Sequence, residues 1–265
     1  STIFNTLIPM PNARKVAIQA VKAAGKVLMK YFRKNARIYH KGKINLVTSA
    51  DIAAEKKIIQ IIKRNFPNHN FIMEESPHIN KRSDFTWVID PLDGTTSFAH
   101  DYNFFCVSIA LQHKSEIVLG VVYAPVFNEL FVAEKCKGAF LNGKRIHASK
   151  TKKLIDCLLA TGFPYAGMKI LYKNLAQMKK FLGKVQGVRR DGAAALDLCY
   201  VACGRFDGFW EYRLQPWDTA AGKLIVEEAN GIVTDFKGKE FDIFKGHVVA
   251  SNPHIYKKFL KILKG

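Results

Sequence analysis

The chain reads as a layered protein of helices and sheets, α+β in its first half and alternating α/β in its second. Three observations carry that reading. Two long segments near the N-terminus place apolar residues at helical spacing. Five short β-rich runs follow with brief turn signals between them, the pattern of an antiparallel meander. After about residue 150, strand-like and helix-like segments alternate. A length of 265 residues with 48% hydrophobic content suits one large domain or two small ones with a packed core. No internal repeat, low-complexity segment or flexible linker interrupts it. We therefore expect two halves, 1–148 and 149–265, in close contact as one compact unit, with the boundary near 145–155.

Each element follows from local pattern. Residues 11–34 carry Val16, Ala20, Ala23, Val27, Met29 and Phe32 on a helical repeat, so a long amphipathic helix is predicted there. A second helix over 51–65 is opened by Asp51 as a plausible N-cap, carries Ile58, Ile59, Ile61 and Ile62, and is stopped by Asn65-Phe66-Pro67-Asn68. Strands are predicted at 71–73, 85–90, 105–112, 117–123 and 129–133. Gly138 to Gly143 reads as a hairpin with Asn142-Gly143 at its turn. In the second half we expect strands at 157–160, 185–189, 208–212, 232–235 and 247–250, and helices at 172–182, 193–202, 219–229 and 253–263.

Composition narrows the function classes. The formal charge is +19, from 41 basic and 22 acidic residues, mostly lysines spread along the chain. That pattern fits a solvated surface first, and a nucleic-acid surface or steering of phosphorylated metabolites after it. Five scattered cysteines without a CxxC pair fit a reduced compartment. Apolar runs are too short to span a bilayer. The first twelve residues lack a signal-peptide pattern, so a cytoplasmic location and no membrane partner are expected.

The most informative run is Trp87-Val88-Ile89-Asp90-Pro91-Leu92-Asp93-Gly94-Thr95-Thr96-Ser97-Phe98. An apolar strand leads into two carboxylates three positions apart. Pro91 lacks an N–H and Gly94 permits a turn, so the strand is expected to stop pairing there and to hold Asp90 and Asp93 on a stiff bend. Carboxylates held close repel one another unless a cation sits between them, and hard cations such as Mg²⁺ take oxygen ligands. Glu74 and Glu75 end the 71–73 strand, which adjacency would bring beside Asp90. Asp218, in Pro216-Trp217-Asp218-Thr219-Ala220-Ala221-Gly222, opens a predicted helix, where an N-cap role and metal ligation are both open.

These segments together resemble the inositol monophosphatase family of Mg²⁺-dependent, lithium-sensitive phosphatases. Asn45-Leu46-Val47-Thr48-Ser49-Ala50-Asp51, Glu74-Glu75-Ser76, Trp87 to Thr96 and Trp217 to Gly222 match its signature segments in order and spacing, over nearly the whole chain. Arg189 to Leu198 resembles its bacterial branch. The resemblance implies an αβαβα sandwich, usually homodimeric, with the site where the halves meet. It implies that Glu74, Asp90 and the Leu92 carbonyl hold one Mg²⁺, that Asp90, Asp93 and Asp218 hold a second, and that Glu74 reaches a third through water, Mn²⁺ being a substitute. Thr95, hydrogen-bonded to Asp51, would help deprotonate the attacking water, and the N–H groups of Gly94 and Thr95 would hold the phosphate. Glu211 would contact a substrate hydroxyl through its carboxylate and Ala194 through its N–H, with Asp93 and Asp218 also facing the substrate.

The implied activity is hydrolysis of inositol monophosphate or a similar polyol phosphate by in-line attack of metal-activated water, without a phosphoenzyme. Two positions depart from the family pattern. Ser97 stands where relatives carry asparagine and is expected to cap the short helix after Thr95. Asp191 puts an acid near the phosphate pocket, which repels anions unless Arg189 or Arg190 pairs with it. The alternative function is an RNA- or RNA-polymerase-associated factor of the bacterial antitermination type, with catalysis secondary. Remaining histidines and the tryptophans Trp210 and Trp217 are read as structural.

Overall fold

The structure is a computed structural model that describes residues 12–34, 38–40, 46–163 and 167–265, with 38–40 and 46–48 described by their backbone. Asn45, in the first of the four motifs, lies outside the described residues. The N-terminal region consists of α1 (Ala13–Tyr31), a small antiparallel pair β1 (Ile38–His40) and β2 (Leu46–Thr48), and α2 (Ser49–Asn65). Next come β3 (Asn70–Met73), β4 (Phe85–Asp93), the short α3 (Thr95–Ala99), β5 (Cys106–His113), β6 (Glu116–Ala124), β7 (Glu129–Glu134), β8 (Gly138–Leu141) and β9 (Lys144–Arg145). These strands form a seven-stranded sheet in sequence order, antiparallel from β4 onward; β3 pairs parallel with β4, so the expected antiparallel meander starts one strand later, because the eleven-residue link 74–84 carries the chain back to the start of the next strand and does not turn it as a hairpin. The β8–β9 turn has positive φ at both Asn142 and Gly143, as an Asn-Gly hairpin turn requires.

Alternation follows, through β10 (Leu158–Thr161), α4 (Met168–Phe181), β11 (Gly187–Arg189), α5 (Ala194–Ala202), β12 (Gly208–Glu211), α6 (Pro216–Glu228), β13 (Ile232–Thr234), β14 (Val248–Ser251) and α7 (Tyr256–Lys264). The second sheet has the order β11-β10-β12-β14-β13, with β10 parallel to both its neighbours and β14 antiparallel to both of its own.

Three hydrophobic clusters define five layers. On β5, Val107, Ile109 and Leu111 face α1 and α2, while Cys106 and Ala110 face α5 and α6, the period of two expected of a strand. The far side of the α5/α6 layer packs on Phe209, Val248 and Ala250 of the second sheet. The opposite face of that sheet, with Leu159, Trp210 and Val249, packs on Phe181 of α4 and Phe259 of α7. The order is α1/α2, sheet, α5/α6, sheet, α4/α7, an αβαβα sandwich. Close approach of α6 to the first sheet depends on Gly120, where a Cβ would lie 2.7 Å from the Ala221 carbonyl oxygen.

The structure corrects several local expectations. On α1 the buried stripe is Ala13, Val16, Ala17, Ala20, Val21, Ala24 and Leu28, whereas Met29 is exposed. Alanines fill that stripe because α1 packs closely against α2, so size more than hydrophobicity decides the face. The strand at 85–90 does not end at Asp90. β4 bulges between Asp90 and Asp93 and resumes pairing at Asp93 with Cys106, because a bulge tolerates a residue without an N–H. Asp51 is not the N-cap of α2 but a fully buried residue in its first turn. Ser97 does not cap α3; Gly94 holds that position and the Ser97 hydroxyl donates to the Asp191 carbonyl oxygen at 3.2 Å.

Candidate active site

Register and helix starts bring the acids together. Met73 pairs with Ile89 in the parallel β3–β4 ladder, so Glu74, one residue on, comes beside Asp90. Asp90 has the parity of Val88, which faces the α5/α6 layer. There α6 begins with Gln215 as N-cap and Pro216 in its first turn, so Asp218 is not the cap but lies three residues inside, and its Oδ2 accepts the Gln215 N–H at 2.7 Å. On the other side, α5 begins so that the Ala195 N–H donates to Asp93 Oδ2 at 2.6 Å. The N-terminal ends of α5 and α6 therefore both offer backbone N–H groups to carboxylates.

The bulge orients the rest. Asp90 Oδ1 accepts the Leu92 N–H at 2.9 Å, which fixes the Asp-Pro-Leu-Asp bend. Thr95 Oγ1 donates to the Leu92 carbonyl oxygen at 3.1 Å, whereas the resemblance implies Asp51 as its partner. The bend brings the Leu92 acceptor within reach of the first turn of α3. Gly94 has φ 94°, and a Cβ there would sit 2.8 Å from the Phe104 carbonyl oxygen. Only glycine allows this turn into α3.

Nine of the ten residues to which the resemblance gives a role line one cavity of ≈ 500 Å³: Glu74, Asp90, Leu92, Asp93, Gly94, Thr95, Ala194, Glu211 and Asp218. Asp51, the tenth, is buried behind it, with carboxylate oxygens of Asp51, Glu74 and Glu75 within 4.8 Å of one another. Sequence reasoning missed several neighbours. Phe163, Tyr212, Arg213 and Gln215 line the same cavity, as do Trp217, read as core, and Arg190, considered only as a partner for Asp191. Gly162 was also missed. A Cβ on it would overlap the Glu211 carboxylate, so Glu211 lies directly over a glycine α-carbon. Glu55 is buried and takes the Glu75 N–H at 2.9 Å. Asp191 is not in the lining. Its Oδ1 accepts the Tyr102 hydroxyl at 3.0 Å, so Tyr102, not an arginine, satisfies it.

Electrostatics in the cavity are one-sided. Burial raises the Asp90 carboxyl well above the usual range, and the charges of Glu74, Asp93, Asp218 and Asp51 push it the same way. Burial lifts Asp93 to about 7, against the opposing Ala195 N–H, and lifts Asp218 to about 7 with Asp93 adding to it. Glu211 rises to about 8 through burial and then Asp218, with Arg190 opposing. Buried carboxyls left to themselves bind protons here. A divalent cation is the alternative counter-charge, and a set made only of carboxylate and carbonyl oxygens fits a hard ion. The residues present thus fit a metal centre.

Comparison with known proteins agrees with this geometry. The model of the inositol monophosphatase family matches residues 10–264. The chain is 44% identical to inositol monophosphatase 2 of Solanum lycopersicum, over 94% of this chain and 96% of that protein. It is 41% identical to the putative Nus factor SuhB of Neisseria meningitidis serogroup B, over 95% of this chain and 94% of that one. Among solved structures, the extragenic suppressor protein suhB of Bartonella henselae superposes with a TM-score of 0.91 at 44% identity, covering 94% of this chain and 97% of that chain. The Thermotoga maritima IMPase gives 0.87 at 35% identity, covering 94% and 95%. A five-layer sandwich with its buried acids at the strand ends, and a match over nearly the full length, identify the chain as a member of the inositol monophosphatase family.

Proposed function

We propose that the chain is a Mg²⁺-dependent phosphomonoesterase for inositol monophosphate or a similar polyol phosphate. The observation that carries this reading is the meeting of Glu74, Asp90, Asp93 and Asp218, from β3, β4 and α6, in one cavity large enough for a sugar-sized ester. Glu74, Asp90, Asp93, Asp218 and the Leu92 carbonyl would hold the ions. When bound, Mg²⁺ offsets the charge of the phosphate dianion, acidifies water and stabilises the departing alkoxide.

The chain's own groups do the positioning. N–H groups of Gly94 and Thr95, at the glycine turn into α3, hold phosphate oxygens. The buried Asp51 carboxylate would be the group that finally takes the proton of the attacking water, with the Thr95 hydroxyl as relay: it would accept that proton and give up its own, which in the structure is donated to the Leu92 carbonyl oxygen. Glu211 and the Ala194 N–H, on the far wall, bind hydroxyls of the alcohol portion. Trp217 and Phe163 add aromatic surface to the lining. Direct in-line attack by water, without a phosphoenzyme, is part of the same reading. Homodimeric assembly and a cytoplasmic location belong to the same reading.

A phosphate-release panel of polyol, sugar and nucleotide monophosphates, with and without Mg²⁺, tests it. We expect Mg²⁺-dependent release fastest from inositol monophosphate. Inactivity across the panel with Mg²⁺ present would refute the proposal. A second reading rests on the relative named as a putative Nus factor and on the net charge of +19: association with RNA or RNA polymerase. Asp93→Asn separates the two, since it should remove phosphate release and leave any salt-dependent RNA binding intact.

A further inference from the structure

One acid on the buried face of α2 has no part in the reaction proposed above. That face carries Ala50, Asp51, Ala54, Glu55, Ile58 and Ile62, and Glu55 is only 1% exposed. A carboxylate in such a place is costly unless it is paired or hydrogen-bonded. Glu55 Oε2 accepts the Glu75 N–H at 2.9 Å. Its Oε1 is buried too and meets no hydrogen-bond donor among the described residues. For stability alone an apolar side chain of the same volume would serve at this position, since replacing a buried charge in that way is often neutral or stabilising. What the carboxylate adds is a firm grip on one peptide group, because a hydrogen bond to an ionised acceptor is shorter and stronger than a neutral one.

The gripped peptide lies next to the candidate metal centre. β3 leaves its ladder with β4 at Met73, whose partner is Ile89. Past that pair the ladder brings Glu74 near Asp90 but no longer dictates which way it faces. The Glu75 N–H belongs to the planar unit that joins Glu74 to Glu75, so the bond to Glu55 fixes the backbone on one side of the Glu74 α-carbon. The rest of the segment is tied down separately. Met73 N–H donates to His78 Nδ1 at 3.2 Å, and Phe71 and Ile79 exchange backbone bonds of 2.8 and 2.9 Å. The His78 ring meets Trp217 edge-on, with centroids 6.2 Å apart. Residues 74–79 are therefore held from α2 on one side and from the first turn of α6 on the other.

We propose that Glu55 is a positioning residue of the metal centre: from α2 it clamps the Glu74–Glu75 peptide so that the Glu74 carboxylate faces Asp90. The inference rests on the reading of the cavity as a metal centre. Partners that orient a metal ligand from behind are worth as much to affinity as many direct contacts.

Titration of the full chain with MnCl₂, free Mn²⁺ being read by electron paramagnetic resonance, tests this without recourse to turnover. Glu55→Met fills the same volume and removes the acceptor. Its Mn²⁺ affinity should fall about 10–100-fold, with the far-ultraviolet circular dichroism of the parent. Glu55→Gln keeps a side-chain oxygen at the same reach and should stay within about threefold of the parent. Should the methionine variant fail to fold, Glu55→Asp keeps the charge, withdraws the acceptor by one methylene and carries the same expectation of weaker binding. A folded methionine variant, or the aspartate one in its stead, that binds Mn²⁺ as tightly as the parent overturns the proposal. So does a glutamine variant as weak as the methionine one, which would assign Glu55 to the site through its charge. A parent chain that binds no Mn²⁺ overturns the metal-centre reading itself, and this inference with it.

Discussion

Asp90 is where the forces in the cavity meet, since Asp93 on its own strand and Glu74, Asp218 and Asp51 from three other segments all act on its buried carboxyl. Replacing Asp93 by Asn keeps the shape, and the Oδ acceptor for the Ala195 N–H, but removes a negative ligand. Phosphate release should fall by at least about 10²-fold, since disturbing even the outer partners of a metal ligand costs roughly 10–100-fold. Steady-state kinetics in saturating Mg²⁺ checks this. Glu211→Gln, on the far wall, should raise KM roughly tenfold with a polyol substrate and change kcat little, as expected for loss of a hydrogen bond that holds the substrate equally in ground and transition states. At this scale the sequence was highly legible where an acid interrupts an apolar pattern. Asp51 stands on the same helical face as Ala54, Ile58 and Ile62, and so does Glu55, a signal available at i, i+4 but overlooked. Arg190 and Tyr212 carried no such mark, because side chains that line a cavity from a loop or strand end show no periodicity.

Elements position these residues through close packing more than through caps. α6 approaches the first sheet at Gly120, and Gly222 on α6 leaves room for Leu198 of α5, whose Cδ1 would lie 2.6 Å from an added Cβ. Gly120→Ala should force the Ala221 backbone away, costing about 1–3 kcal/mol of stability. In a 265-residue chain this corresponds to a fall in Tm of roughly 2–10 °C by scanning calorimetry. Because Asp218 rides on the same helix, kcat should drop with it even though Gly120 lines no part of the cavity. Element order was readable from periodicity, and each of the strands expected in the meander is present. The bulge in β4 was not. Pro91 reads as a strand terminator, and only the partner strand shows that pairing resumes at Cys106. The buried face of α1 was likewise obscured, because alanine is a weak apolar signal in sequence but the residue of choice where two helices pack closely.

On the scale of the whole molecule, the sandwich brings mutually repelling acids into its interior, and its stability should register that. Asp93 and Asp218 titrate near 7 and Glu211 near 8 when folded, against ordinary values of 3.8 and 4.5. Folded pKa values above unfolded ones mean that the folded state holds more protons in this window, so stability falls as pH rises from about 4 to about 8. In EDTA the Tm should decline over that range, by an amount on the order of 5 °C or more, and added Mg²⁺ should cancel the decline by replacing protons as counter-charge. A Tm that rises from pH 5 to pH 8 in EDTA would contradict the assignment of these groups. The layer order followed from the resemblance once four motifs were aligned, but the exposure of Tyr172 and Leu175 on α4 did not, because from sequence alone they look like one more core face. The most direct measurement is an anomalous difference map from a crystal soaked in Mn²⁺. The expected result is at least one strong peak among Glu74, Asp90, Asp93 and Asp218, lost in Asp90→Asn. A map without density above noise among those four carboxylates, from a crystal whose soak solution binds Mn²⁺ elsewhere, would contradict the claim that this cavity is a metal centre.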